Sequence, residues 1–250
     1  MIDLHSHILY DLDDGALTIA ESLAIAQMAA ADGTRVMAAT PHGPGSTACR
    51  VYEPVLIRER LAALNAALAA ERLPLTIVAG TEIAYDAGIV ERLQRGEILP
   101  YGDSRAILLE LANNTIPPTL ENALFNLQIA GYRIVLAHPE RIYEVQRDPN
   151  RLLPLIERGV LMQITAEALI GGQGEKLRAT AETLLTHNMA HLIASDTHGV
   201  PPRRPPGLTR ARDRAAALVG QAAADALVST TPAAVLYGQP LWPPPPRRVA

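Results

Sequence analysis

Cysteine is almost missing from this chain of 250 residues: Cys49 stands alone, which rules out an internal disulfide framework. Aromatic residues are nearly as scarce, at 4% with one Trp and one Phe, and the formal charge is only −4 from 26 acids and 22 bases. Such a chain has neither the stacking rings nor the basic face on which nucleic-acid binders depend. No apolar run approaches the roughly 20 residues that a membrane helix needs. The Ala-rich stretches near 19–31 and 61–70 are broken by polar residues and read as helices of a soluble protein. The opening MIDLHSH is strand-like and has no charged-then-apolar signal region, so a cytoplasmic protein without membrane insertion is expected. A Gly-rich fingerprint after the first strand is lacking too, which counts against an open dinucleotide-binding sheet.

What is present is a large apolar fraction, 48%, enough for a globular core. Short runs rich in Val, Ile and Leu fall at 2–5, 35–40, 75–80, 106–111, 133–137, 160–165 and 191–195. Segments of helical period lie between them, near 17–32, 51–71, 87–95, 119–130, 150–158 and 174–188. That alternation predicts βα units and a parallel sheet covered by helices. The runs are continuous rather than alternating with polar residues, as strands buried on both faces should be. Seven strands without a composition break favour a single α/β barrel. Helices are expected again at 208–218 and 220–228, after PPRRPPGL. The tail LWPPPPRRVA can form neither helix nor sheet, since consecutive prolines lack the amide donor. The expected division is a domain over 1–238 and a Pro-rich tail over 239–250, either disordered or lying as a surface strap. GGQG at 171–174 reads as a turn that opens a helix, because the lysine of a phosphate loop is absent.

Nine residues of metal-binding type punctuate the chain. They are His5 and His7 in MIDLHSH, Asp14 in DLDDGA, His42 in TPHG, Glu82 in GTEI, Glu110 in LLEL, His138 in AHPER, and Asp196 with His198 in ASDTH. Imidazole and carboxylate suit Zn, Mn or Fe. In a βα barrel the residues just past each strand converge on one face, and these candidates fall at or near strand ends. His187, at a helix end, and His191, at a strand start, belong to the opposite face. His5 and His7 are two apart on a strand and point the same way. Any one of the nine alone would pass for a hydrogen-bonded core group. Together they would be costly to bury without a compensating ion. The carboxylates of Asp14, Glu82, Glu110 and Asp196 carry four negative charges, which one divalent ion leaves anionic and three turn to +2. A centre of that sign attracts a phosphate monoester. Metals about 3.5–4 Å apart can hold the attacking and leaving oxygens of its hydrolysis.

The stretches MIDLHSHIL, DDGA, TPH, GTEI, LLEL, GYRIVLAHPER, QIT, IASDTH and RRPPGL, in this order, resemble the PHP (polymerase and histidinol phosphatase) superfamily. Within it the likeness is to the bacterial CpsB/YwqE-type protein-tyrosine phosphatases. It covers nearly the whole chain and is most specific from Glu110 through ENALFNLQIAGYR to AHPER. The resemblance implies a distorted (β/α)7 barrel, TIM-like, with three divalent metal ions, Mn first and Zn or Fe as alternatives. By motif, His5, His7 and Asp196 would hold one ion, with Glu82 bridging to a second held by Glu110 and His138. Asp14, His42 and His198 would hold the third; Asp13 competes with Asp14, which directly precedes Gly15. Arg141, with Arg203 or Arg204, would clamp the phosphate. The implied substrates are phosphotyrosine proteins, among them autophosphorylated tyrosine kinases that control exopolysaccharide assembly.

The reaction this implies is in-line attack of metal-held hydroxide on phosphorus, with charge on the equatorial oxygens met by the metals and Arg141. His42 or His198 would relay a proton. Cysteine-based chemistry is excluded, because it needs Arg six positions after the nucleophile and Val55 stands there after Cys49. The rivals are a small phosphomonoester such as histidinol phosphate, nuclease or phosphodiesterase action on the same scaffold, and a metal-stabilised binding module with closed coordination. Gly43 replaces a histidine common in the family, QIT replaces QVN, and Ile142 stands where an aromatic is usual. These departures are expected at the rim of the site, where they would bear on substrate choice.

Overall fold

The computed structural model describes residues 1–86, 88–111 and 115–250. In chain order the elements begin with β1 (Ile2–Asp3), α1 (Ile19–Ala31), β2 (Val36–Ala39), α2 (Pro54–Ala70), β3 (Thr76–Ala79), β4 (Glu82–Ala84) and α3 (Ile89–Gln94). They continue with β5 (Ala106–Glu110), α4 (Leu120–Ile129), β6 (Arg133–Ala137), α5 (Tyr143–Arg147), α6 (Leu153–Glu157), β7 (Leu161–Thr165) and α7 (Ala166–Leu169). The last are α8 (Glu175–Thr186), β8 (Leu192–Ala194), α9 (Thr209–Val219), α10 (Gln221–Val228) and α11 (Thr230–Leu236). Single 3-10 turns at Pro139–Arg141 and Pro149–Leu152 precede α5 and α6. Position 87, where the third helix was expected to begin, lies outside the described residues.

Local chemistry sets the helix boundaries. The Thr18 hydroxyl caps α1 by accepting from Glu21 N at 3.2 Å, and α1 then buries Ser22, Ile25, Ala26, Ala29 and Ala30 along one stripe. Pro54 opens α2, where its missing N–H costs nothing, and Ile57, Leu64 and Leu68 form the buried side.

All strand pairings are parallel, and they form two sheets, β1-β2-β3 and β4-β5-β6-β7-β8. The third strand, expected at 75–80, is β3 and pairs with β2; beyond Gly80–Thr81 comes a further strand that was not expected, β4, which pairs with β5. Gly80 sits at a close approach, where a Cβ would lie 3.0 Å from Thr40 Cγ2 and 3.1 Å from Tyr101 Cδ1. Single bridges, His42 to Glu82 and Ser6 to Thr197, link one sheet to the other at both junctions. The fold is thus α/β with two linked parallel sheets, where one uninterrupted barrel sheet was expected.

One inner cluster draws on both sheets, with Leu4 and Ala38 from the first side and Leu108, Val135, Leu161 and Leu192 from the second. Val235 and Leu236 of α11 join it. Two outer clusters pack the opposite strand faces against the helices. The tail is a strap. Arg247 N donates to His187 O at 2.8 Å, Asn188 Nδ2 to Pro245 O at 3.1 Å, and Asn150 and Val249 exchange bonds of 3.0 and 2.9 Å. Among the described residues no helix is long and apolar enough to cross a membrane.

Candidate metal centre

The strand ends bring all nine sequence candidates together. Their ligand atoms form four overlapping groups, each within 4.8 Å: His7–Asp14–His42–His198, His5–His7–Asp196, His5–Glu82–His138 and His42–Glu82–Glu110. Glu110 is the last residue of β5 and His138 follows β6 directly. Glu82 follows β3, as expected, and is also the first residue of β4; its carboxylate belongs to two of the four groups. His187 and His191 lie at the other end of the strands. A cavity of about 670 Å³ at that end, lined by Arg105, Arg133, Val235 and Tyr237 among others, contains none of the nine.

Three imidazoles are held from behind by an acceptor at Nδ1. His5 Nδ1 meets Gln163 Oε1 at 2.8 Å, His7 Nδ1 meets Asp13 Oδ2 at 2.7 Å, and His198 Nδ1 meets the Asp196 carbonyl at 2.9 Å. The network therefore assigns the proton to Nδ1 and leaves the Nε2 lone pair facing the centre. Nε2 of His5 lies 3.3 Å from both Glu82 Oε1 and Asp196 Oδ1. Lone pair opposes lone pair there. The buried Nε2 atoms of His5 and His7, Nδ1 of His42 and Oε2 of Glu82 have no hydrogen-bond partner among the described residues. Buried acceptors without donors are what a cation resolves, and the mixed imidazole–carboxylate set suits a divalent ion. Two of the residues also sit on left-handed backbone, His138 at φ +34° and Asp196 at φ +51°, strained conformations of the sort held at functional sites.

Asp14 lies 3.3 Å from His198 Nε2 and 3.6 Å from His42 Nε2. Asp13 points elsewhere: besides His7, it accepts from His42 N at 2.9 Å and Gly15 N at 2.8 Å. Asp14 therefore faces the cluster, while Asp13 lies behind His7. Gly15 is obligatory beside them, since a Cβ there would lie 2.2 Å from His7 O.

On the Asp196 side stand two guanidiniums. Arg141, at the end of its 3-10 turn, donates to Asp196 Oδ2 and to Thr165 Oγ1 at 3.3 Å. Arg204 donates to the Asp196 carbonyl at 2.7 Å and to its carboxylate. Arg203 turns away and binds the carbonyls of Gly15, at 3.0 Å, and Asp14.

A family model for capsular polysaccharide synthesis, CpsB/CapC, matches residues 1–237. The chain belongs to the CpsB/CapC family. The tyrosine-protein phosphatase YwqE of Bacillus subtilis (strain 168) is 38% identical over 205 residues, 81% of this chain and 79% of that protein. The tyrosine-protein phosphatase CpsB of Streptococcus pneumoniae is 29% identical over 247 residues, 96% and 99% of the two chains. A crystal structure from work on YwqE of B. subtilis and CpsB of S. pneumoniae, described as metal-dependent tyrosine phosphatases, superposes with TM-score 0.94 at 33% identity, covering 100% of both chains. The lactonase Lmo2620 of Listeria monocytogenes, at TM-score 0.59, 14% identity and 94% coverage of each chain, shares the fold alone.

Charge in this CpsB/CapC site is divided unevenly. Burial pushes the His5 imidazole down, but Glu82 and Asp196 more than offset it and leave it raised. Burial and the neighbouring Arg141 bring His138 down to about 4. Burial and the charge of Glu82 raise Glu110 to about 7, while Asp14, although burial opposes it, is held at about 2 by His198.

Of the departures from the family pattern, Ile142 is in the core rather than at the rim, whereas QIT differs from QVN at Ile164 and Thr165, both buried, and Thr165 Oγ1 accepts from Arg141 Nη2 at 3.3 Å. Gly43 donates to Glu82 O at 2.8 Å, where a Cβ would come 2.9 Å from Thr81 Cγ2. Gln163, which QIT shares with QVN, is fully buried behind His5 and meets its Nδ1 at 2.8 Å. GGQG, read as a plain turn, also brings a side chain to the site: Gln173 reaches both Arg141 and Arg204.

Proposed function

We propose that this protein is a metal-dependent protein-tyrosine phosphatase, a phosphomonoester hydrolase acting on phosphotyrosine proteins. The observation that carries the reading is the convergence of nine ligand-type residues, with orphaned lone pairs, beside the paired guanidiniums of Arg141 and Arg204. In this reading His5, His7 and Asp196 hold one ion, Glu82 bridges to a second shared with Glu110 and His138, and Asp14, His42 and His198 hold a third. Manganese is the first choice, with zinc or iron as alternatives. The two sheets act as one distorted (β/α)7 barrel within a domain over 1–238, and 239–250 are its tail. The inner cluster common to both sheets supports that view. The proposed setting is the cytoplasm and the proposed substrate a tyrosine kinase of exopolysaccharide or capsule assembly.

Divalent ions at such a site supply Lewis acidity and an activated water. The chain's own part is to bind and orient. Arg141 and Arg204 meet the equatorial phosphoryl oxygens with charge-assisted hydrogen bonds. Asp13 and Gln163 hold His7 and His5 in the tautomer a metal requires. A phenolate leaves with little protonation, and His42 or His198, both facing the half-exposed Asp14, would pass a proton outward only when its Nε2 is not engaged with the ion.

Metal analysis of the purified protein, paired with initial rates on a phosphotyrosine peptide, histidinol phosphate and single-stranded DNA, tests this reading. The expected outcome is bound divalent metal, turnover of the peptide, and loss of that turnover on chelation with recovery on adding metal back. Activity that survives chelation would remove the metal role. Turnover of histidinol phosphate alone would move the substrate while leaving the centre in place.

A further inference from the structure

We propose that Gln173 is a positioning residue that locks Arg141 and Arg204 into one phosphate-binding unit; the inference rests on those two arginines being the phosphate clamp. Gln173 lies on the turn between α7 and α8. Gly171 and Gly174 give that turn its shape with φ of +88° and +97°, left-handed backbone where a side chain would be strained. The turn is tied down by Gly172 N to Glu167 O at 2.9 Å and Gly174 N to Gly171 O at 3.1 Å. Within GGQG, only Gln173 has a side chain to offer. With its amide turned to suit both donors, Oε1 accepts from Arg204 Nε at 3.1 Å and from Arg141 Nη2 at 3.2 Å.

Two guanidiniums side by side repel, and each long side chain loses rotamer freedom when held. A shared acceptor offsets both costs. Asp196 is one such acceptor, but it is also a candidate metal ligand, and its negative charge cancels part of the attraction for a dianion. Gln173 is the second acceptor, and it is neutral. It holds the pair together while both positive charges remain available to the phosphoryl group. The Nη2 of Arg204 hydrogen-bonds to no described residue, so the arrangement keeps a donor for substrate. The neutral amide, rather than a carboxylate, is the part of the design that the pattern of effects can reveal.

The test uses the metal-loaded full-length chain with a phosphotyrosine peptide as substrate and inorganic phosphate as competitive probe. Gln173→Ala is expected to raise KM and the phosphate inhibition constant together by about three- to tenfold, the effect of one or two hydrogen bonds, with kcat within about twofold. Gln173→Glu keeps the acceptor and adds a negative charge, and it is expected to raise both constants more than Ala does. A merely structural role predicts the reverse, with the near-isosteric Glu the milder change. In an Arg204→Ala background the effect of Gln173→Ala should shrink to less than half. The inference is overturned if Gln173→Ala leaves both constants unchanged, if Glu restores wild-type values, or if the effect persists undiminished without Arg204. If Arg141→Ala and Arg204→Ala themselves move neither constant while metal content stays normal, the clamp fails and this inference fails with it.

Discussion

At the scale of single residues, the nine candidate ligands are recognisable by type and position, but the groups behind them are not. A histidine ligand is useful only when its other nitrogen is committed, and here the commitments come from Asp13, Gln163 and a backbone carbonyl. The motif favours Asp14, directly before Gly15, but does not say what surrounds Asp13. The fold does, by placing three donors around Asp13: the imidazole of His7 and the amides of His42 and Gly15. Asp13→Asn sets an amide NH2 against at least one of those donors. It is expected to weaken metal affinity and kcat/KM by about 10- to 100-fold while leaving the circular dichroism spectrum native. A metal titration that superposes on the wild-type curve would count against the orienting role. The strained backbone at His138 and Asp196 was equally illegible, because it comes from neighbours distant in sequence.

At the scale of elements, long segments were readable and short ones were not. Seven of the eight expected helices have counterparts within a few residues at each end, and the longer ones, such as α1 and α2, show the clearest period. The expected stretch at 150–158 divides into a 3-10 turn and α6. The helices α5, α7 and α11 span five, four and seven residues and show too little period to be recognised. The strand β4, three residues long, carries too little pattern to be recognised. Leu108, 1% exposed, lies in the inner cluster that both sheets share. Leu108→Ala is expected to cost about 2–5 kcal/mol in urea unfolding and to lower the midpoint of a single transition. Two separated transitions would mean that the sheets unfold independently.

At the scale of the whole molecule, the chain keeps its ionisable cluster at one end of the strands and closes the other end with α11, His191 and the tail. His191 is 4% exposed, and its Nδ1 accepts from Met162 N at 2.9 Å. Burial lowers its pKa from 6.5 to about 4. The neutral form is the one the fold accommodates. As pH falls below about 6.5 the unfolded chain takes up a proton that the folded chain refuses. Stability from this group is therefore complete above 6.5 and is lost progressively down to about 4, by about 3 kcal/mol in all. His191→Asn should flatten the acid side of the stability curve by an amount of that order. Urea unfolding of chelated protein between pH 7.5 and 4.5, free of any contribution from metal loss, measures it. Parallel curves for variant and wild type would show that His191 is not the group responsible.

The sequence by itself determined the fold class, the nine ligand types and their place at strand ends, because period, strand length and residue chemistry are local properties. It also separated His187 and His191 from the site, since strand direction alone assigns the two ends. Only the tertiary structure decided that Asp13 lies behind His7, which of two adjacent arginines joins Arg141, and that a glutamine in a glycine-rich turn bridges the pair. Those choices depend on contacts between segments far apart in the chain: Arg204 and Arg141 against Asp196, Gln173 across both, and Gln163 behind His5. The physical reason is the same in each case. A side chain's role at a buried charged centre is fixed by which donors and acceptors surround it, and folding, rather than sequence order, supplies those neighbours.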